Sequence, residues 1–534
     1  MTDARTRRRP IAVVLSLLVL CGTVGATTTL AVGPVLGEPD DDLEIDPALE
    51  ETVEEARADG TETVEVIVRL EAAPVQETPD GAVEDELEKH AAETQTDLLA
   101  YAEDAAGIDV VTEFWVANAV LLELDPVEVD LETFDRFEEV TALHGNVAIS
   151  TPEPPAGFEA DGEGPRGNET TDGLAMIGAP TVWEAHGTRG EGVKVAVLDT
   201  GIDVDHPDLS LSTDDPTDPT YPGGWAEFDA TGAPVEGSEP YDSGSHGTHV
   251  SGTVAGGNAS GTHVGVAPDV DLAHGLVLDD DGGTFAQAVA GFEWALGIDA
   301  DVVSVSFGVD GTEDAFVEPV RNVRHGGVVV VGAVGNDGEG NSSSPGNVND
   351  VVSVGAVGPD ERVAPFSGGE RLGPNDWSDP PADWPETYVV PDVVAPGVDV
   401  ESTVPGGGYE RMPGTSMATP HVSGTVALLL SVDGDLTPAD VDEVLAETAR
   451  KPADAPDEVD HRYGNGVVDA AAAADAVAAR EPVDGGADHP DPEVDTTSNV
   501  TVEPAVEADP VPGPGVVVAL VAVGLVLAFR AVRT

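Results

Sequence analysis

The run GVKVAVLDTGIDVDHPDL, Gly192 to Leu209, decides how the rest of the chain is read. Val193 to Leu198 is apolar at every position but Lys194, which fits a strand buried on both faces. The run turns polar at Asp199, beside a glycine that starts a turn. Open α/β sheets gather their ligands at the carboxyl ends of strands, so Asp199 is a candidate functional residue. Two more runs of this kind, DVVSVS (301–306) and GGVVVVGAVGN (326–336), alternate with helical segments. From about 175 to 480 the alternation predicts an α/β fold of three layers, a mainly parallel sheet with helices on both faces.

Composition narrows the function classes. The 534 residues carry 102 Asp and Glu against 22 Lys and Arg, a formal charge of −80. That excludes a nucleic-acid binder held by basic patches. Because 40% of residues are apolar and the acids are interspersed with Val-rich runs, a folded acidic protein is expected rather than a disordered one. Such a surface repels itself in dilute buffer and is relieved where salt shortens the screening length to about 3 Å. The composition resembles that of proteins from extreme halophiles. Cys21 is the single cysteine, so no intramolecular disulfide is possible.

The ends read as targeting segments. In residues 1–31, Arg5 and Arg7 to Arg9 precede an apolar run from Ile11 to Leu20 and small residues at Gly25, Ala26 and Ala31, the pattern of a signal peptide. The arginines leave the export route, general or twin-arginine, open. Residues 484–514 form an acidic Pro-rich linker. In 515–534 the 14 apolar residues Val516–Phe529 are closed by Arg530 and Arg533, fewer than the about 20 of a plain spanning helix. They read as a hydrophobic anchor or sorting signal that tethers the body to a membrane. Asn168, Asn258, Asn341 and Asn499 stand in glycosylation sequons. Residues 45–150 read strand (Val64–Leu70), helix (Val83–Ala105), strands (Val110–Phe114, Ala119–Leu124), helix (Leu131–Phe137) and a last strand near Val147, a small α+β domain.

Two further motifs carry chemistry. SHGTHVSGTVAG (245–256) presents His246 at the start of small residues, and GTSMATPHVSGTVALLL (414–430) presents Ser416 at the positive end of a long apolar helix. Singly, each residue would be a solvated or capping group. Together they supply what a serine nucleophile needs: a histidine to take its proton and a carboxylate to fix the histidine's tautomer.

In the order Asp, His, Ser, the three motifs resemble the subtilisin-like serine proteases, or subtilases, and with the composition they resemble secreted halophilic archaeal subtilases of the halolysin type. The resemblance covers about 175–480. It implies Ser416 as nucleophile, His246 as general base and then acid, and Asp199 as the orienting carboxylate. Asn336, in VVVVGAVGNDG, matches the oxyanion-hole donor. Ser306, Phe307 and Gly308 of SVSFG match the strand that binds substrate backbone. Asp208 matches a calcium-ligand position, with the loop GGNASGTHVGVAP (256–268) as its partner, although Ala259 stands where a ligand side chain is expected. Structural calcium is the cofactor so implied. His249 and His421 are expected to be structural. The stretches Leu211–Asp242 and Gly369–Thr387 are longer than the family's usual connections and are expected as surface loops near the cleft. Residues 45–150 resemble the family's propeptide, ferredoxin-like in order, with autocleavage expected between about 150 and 175. The implied protein is a secreted serine endopeptidase made as an autoprocessed zymogen. It acts as a monomer on protein and peptide substrates, its own propeptide and the membrane being its other partners. A maturation protease for specific cell-surface proteins and a non-catalytic surface protein are the alternatives.

Overall fold

The computed structural model describes residues 43–151, apart from 61–62, 76–77 and 79–81, and residues 169–480, apart from 213–222 and 454. The expectations for 1–31, 484–514 and 515–534 lie outside the described residues, as do those for Asn168 and Asn499 and most of the 150–175 stretch. Among the described residues no helix is long and apolar enough to cross a membrane.

The Lys194–Asp199 strand lies in a seven-stranded sheet. The order is Val393–Pro396, Val352–Val357, Val329–Ala333, Val302–Val305, Lys194–Asp199, Asp271–Leu276, Trp225–Glu227, and every neighbouring pair is parallel. Its unbroken apolar run has a simple cause. Ala196 and Leu198 enter the core built on the Phe285–Gly297 helix, and Val195 and Val197 enter the core built on the Thr415–Val432 helix. Each such buried Val or Leu side chain contributes about 1.5–3 kcal/mol. Later strands pass to the Val302 side and the Asp271 and Trp225 strands to the other. The direction of winding therefore reverses beside Asp199, where such sheets form their crevice.

The N-terminal region builds a five-stranded sheet in the order Glu44–Ile45, Val140–Gly145, Val64–Leu70, Ala119–Leu124, Ile108–Phe114. Val66, Val68, Val120 and Leu122 face the helices Pro47–Asp59 and Thr96–Asp104 in a core of their own, whereas Ile67, Ala119 and Leu121 join the core of the Phe285–Gly297 helix. The second face of this sheet is thus covered by residues of the 169–480 region. A polar clamp fixes the seam: Glu293 accepts from Trp115 N (2.5 Å) and Val116 N (2.9 Å), and Asn322 Nδ2 donates to Val116 O at 2.8 Å. Burial pushes the Glu293 carboxyl up to about 8.

Several expectations need correction. The helix expected over Val83–Ala105 is two helices, Val83–Thr94 and Thr96–Asp104, meeting at Gln95, whose buried side chain donates to Phe114 O and Asn118 Oδ1. Leu131–Arg136 is a 3₁₀ turn. A helix over Pro47–Asp59 was not anticipated. Asp46 caps it, proline opens it, Gly60 closes it at φ 72°, and Leu49, Val53 and Ala56 form its buried stripe. The last strand of the region's own sheet is Val140–Gly145, and Ala148–Ile149 instead pairs antiparallel with Gly282–Thr284. The long connections are more than surface loops. The first supplies the edge strand Trp225–Glu227. In the second, Trp377 and Trp384 are buried edge-on, Glu370–Leu372 pairs with Tyr388–Val390, and Arg321 bridges Asp350 and Asp383.

Candidate active site

Asp199 ends its strand completely buried. Its Oδ1 accepts from Thr200 N at 2.8 Å and meets His246 Nδ1 at 2.7 Å. His246 opens the helix His246–Ala255, and the residue after it has to be glycine: a Cβ at Gly247 would lie 2.2 Å from Gly201 O. That close approach brings the helix start against the turn after Asp199. Burial works against a charged His246 ring, but the charge and hydrogen bond of Asp199 outweigh it, with Asp242 and Asp280 adding, so the pKa lies above the ordinary imidazole value.

Ser416 stands in the first turn of Thr415–Val432, 1% exposed. Pro420 lies inside this helix and has no N–H to offer the carbonyl four residues back. Ser306 Oγ donates to that carbonyl, Ser416 O, at 3.0 Å, while Ser416 Oγ donates to Ser306 O at 3.3 Å rather than to His246. The pair of bonds locks the serine turn to the end of the Val302–Val305 strand. A hydroxyl held by one long bond turns readily, and such contacts tighten when substrate binds.

Asn336 follows the Val329–Ala333 strand. Its Oδ1 accepts from Thr415 N (3.0 Å) and Thr415 Oγ1 (2.9 Å), which fixes the amide plane and aims Nδ2 away from Thr415. Gly414, at φ 152°, lies between the donors: a Cβ there would be 3.6 Å from Asn336 Nδ2 and 3.6 Å from Ser416 N. Asn336 Nδ2 and Ser416 N thus lie on the same side of the serine turn, and at φ 152° the position between them favours glycine.

The segment that leaves the N-terminal sheet runs into this site. Ala148 and Ile149 pair with Thr284 and Gly283, and on the other side Ser150 N donates to Gly308 O at 3.1 Å while Gly308 N donates to Ser150 O at 2.8 Å. Ser150 and Thr151 line a cavity of about 320 Å³ together with Asp280, Asp310, Asn336 and Asp337. Of the expected peptide-binding residues, Gly308 pairs with the segment, Ser306 holds the serine turn, and Phe307 is buried in the core.

Asp208, expected as a calcium ligand, has both carboxylate oxygens on protein donors. Its Oδ1 accepts from Ala259 N at 2.5 Å and its Oδ2 from Tyr409 Oη at 2.6 Å. Among the described residues no three His, Cys, Asp or Glu side chains converge as a metal site. Asp208 instead ties the 256–268 loop to the Gly408–Met412 strand. The other histidines are structural in geometry. His249 Nε2 lies 3.0 Å from Val400 O and 3.2 Å from Glu410 O, and burial pushes its pKa down to about 3. His421 contacts Met417 O, and burial takes it to about 4.

Sequence reasoning missed Asp242. It accepts from Thr200 Oγ1, Gly244 N and Thr248 N, wrapping the turn before His246 around the end of the Asp199 strand. Its position four residues before His246 was the available signal, hidden by the abundance of acids. Thr415, which orients Asn336, was missed for a similar reason: it reads as a spacer before the serine.

With the fold the comparisons agree. A model of the subtilase family matches residues 190–466. Subtilisin E of Bacillus subtilis is 37% identical over 308 residues, 57% of this chain and 70% of the relative. The intracellular serine protease of Paenibacillus polymyxa is 38% identical over 283 residues, 51% of this chain and 77% of the relative. Bacillopeptidase F of Bacillus subtilis is 30% identical over 443 residues, 77% of this chain but 29% of the relative. A buried carboxylate on a histidine and a helix-start serine, set in a parallel sheet, thus occur in a chain that belongs to the subtilase family of serine endopeptidases.

Proposed function

We propose that the chain is the precursor of a secreted subtilase in which Ser416 is the nucleophile, His246 the general base and then acid, and Asp199 the group that holds His246 in its productive tautomer. Ser416 Oγ attacks the scissile carbonyl as His246 Nε2 takes its proton. Asp199 stabilises the imidazolium so formed, and Asn336 Nδ2 with Ser416 N stabilises the oxyanion. His246 returns the proton to the leaving amine, and water repeats the sequence on the acyl-enzyme. Residues 45–150 act as the propeptide and 175–480 as the catalytic domain. Residues 1–31 direct export, and 484–514 with 515–534 keep the enzyme at the cell surface. The charge of −80 suits it to high salt, where its self-repulsion is screened.

One observation carries this reading: Ala148 to Ser150 lies as an antiparallel strand between Gly282–Thr284 and Gly308, as a cleaved peptide product would. Cleavage is therefore expected in the stretch that directly follows it. N-terminal sequencing and intact mass of the matured protein should place the new terminus within 152–169, with the released N-terminal piece copurifying before it is degraded. A mature chain that begins before Ala148 or inside the Lys194–Asp199 strand would contradict it.

The electrostatics yield a second expectation. Asp280 is exposed and helps to raise the pKa of His246. As base, His246 must be neutral, so a raised pKa moves the acid limb of kcat/KM to higher pH. Asp280→Asn should move that limb to lower pH in dilute buffer, and the difference should shrink in molar salt. An unmoved limb at low salt would separate Asp280 from the titrating group.

A further inference from the structure

Asn146 stands three residues before Ile149, and its side chain is gripped from both sides. Oδ1 accepts from Ala286 N at 3.0 Å, while Nδ2 donates to Ala230 O at 3.1 Å and to Glu65 Oε2 at 2.8 Å. The next carbonyl, Val147 O, accepts from Phe285 N at 2.8 Å, and the strand pairing of Ala148–Ser150 follows. Ala286 N belongs to the first turn of the Phe285–Gly297 helix, where backbone N–H groups have no partner within the helix.

Ala230 comes from the long Leu211–Asp242 connection, and besides Asn146 its carbonyl has a donor from the 169–480 region. Thr284 Oγ1 donates to it at 2.7 Å, and Gln287 Nε2 fixes the neighbouring Phe228 O at 2.8 Å. Asp229 Oδ1 accepts from Thr231 N (2.9 Å) and Ala233 N (3.2 Å), which closes the turn on itself. Thr112 Oγ1 also donates to Thr231 O at 2.8 Å and leaves with residues 43–151, as Glu65 does, but the bonds from Thr284 and Gln287 and those within the Asp229 turn stay and keep Ala286 N and Ala230 O facing each other. One donor and one acceptor facing each other suit a carboxamide, which offers an acceptor oxygen and a donor NH₂. A carboxylate offers acceptors only and would set an oxygen against Ala230 O.

We propose that Ala286 N and Ala230 O form a carboxamide subsite for peptide substrates, selecting Asn three residues before the side chain that takes the place of Ile149. This rests on the reading given above, that substrates follow the path of Ala148–Ser150. The subsite adds side-chain selection to a cleft that otherwise binds mainly through backbone.

The test uses the matured wild-type enzyme in molar salt with fluorogenic dodecapeptides of the sequence 145–156. The parent is compared with Asn146→Asp, Asn146→Ala and, as a control for register, Ile149→Asp. Losing the amide donor should lower kcat/KM about tenfold for the Asp peptide and about threefold for the Ala peptide, chiefly through KM. Because the Ala peptide carries no new charge, a loss confined to the Asp peptide would mean repulsion by the acidic surface and would overturn the subsite. Equal rates for Asn, Asp and Ala peptides, with Ile149→Asp cut poorly, would overturn the subsite and leave the path intact. An Ile149→Asp peptide cut as well as the parent would overturn the path and the subsite with it. Failure to cut any of the four while casein is hydrolysed would overturn the path and the subsite, and failure to hydrolyse casein as well would overturn the active-site reading itself.

Discussion

Ser416→Ala is expected to accumulate as an uncut chain that hydrolyses no casein and no peptide, with residual turnover about 10⁶-fold below wild type, the order recorded for subtilisin itself. The substitution removes one oxygen whose single bond, to Ser306 O, is 3.3 Å long. The bond that anchors the serine turn, from Ser306 Oγ to Ser416 O, uses the backbone and survives. Folding should therefore be nearly unchanged, and circular dichroism and the thermal midpoint should match those of the uncut wild type. The N-terminal region would stay covalently attached, with Ala148 to Ser150 in the cleft. An alanine chain that matures unaided, in the absence of other proteases, would show that Ser416 is not the nucleophile.

The sheet and the site were legible in sequence to different degrees. The Val-rich strands were readable because helices cover both sheet faces, which removes the polar alternation that would make a short apolar run ambiguous. The Asp199, His246 and Ser416 motifs were readable through their resemblance, taken together, to the subtilases, since singly each residue reads as a solvated or capping group. What escaped depends on residues far apart in the chain. The break at Gln95 interrupts a helical pattern without leaving a mark in it, since its cause is Phe114 O and Asn118 on the neighbouring sheet. Nothing near Asp208 in the sequence marks its partner Tyr409, about two hundred residues later, which donates to it. The stretch near Val147 reads as the last strand of its own domain. Its partner is Gly282–Thr284, and no local signal says which sheet a two-residue strand will join. Ala230, in a connection that reads as polar surface, likewise shows its carbonyl's role only when Asn146 and Thr284 are brought to it.

Asn336→Leu should lower kcat by about 10²–10³ while leaving KM nearly unchanged, a magnitude known for the corresponding loss in subtilisin. The split follows from geometry. Thr415 N and Oγ1 hold Asn336 Oδ1, so the amide plane is fixed before substrate arrives, with Nδ2 and Ser416 N each 3.6 Å from where a Gly414 Cβ would stand. Charge develops at that point only as the carbonyl becomes tetrahedral, so the lost interaction belongs to the transition state and appears in kcat. Leucine also leaves the two Thr415 donors without their acceptor in a buried site, at a cost of about 1–3 kcal/mol in stability. The assay should therefore be run well below the lowered thermal midpoint, with active enzyme counted by titration of Ser416. Asn336→Asp provides the opposing case. It keeps an acceptor for Thr415 and so should be more stable than the leucine variant, yet it places an oxygen where the donor stood and should lose at least as much kcat. If both variants retained kcat, or if the whole loss fell in KM, Asn336 would serve only to position Thr415, and Ser416 N would have to stabilise the oxyanion with a different partner.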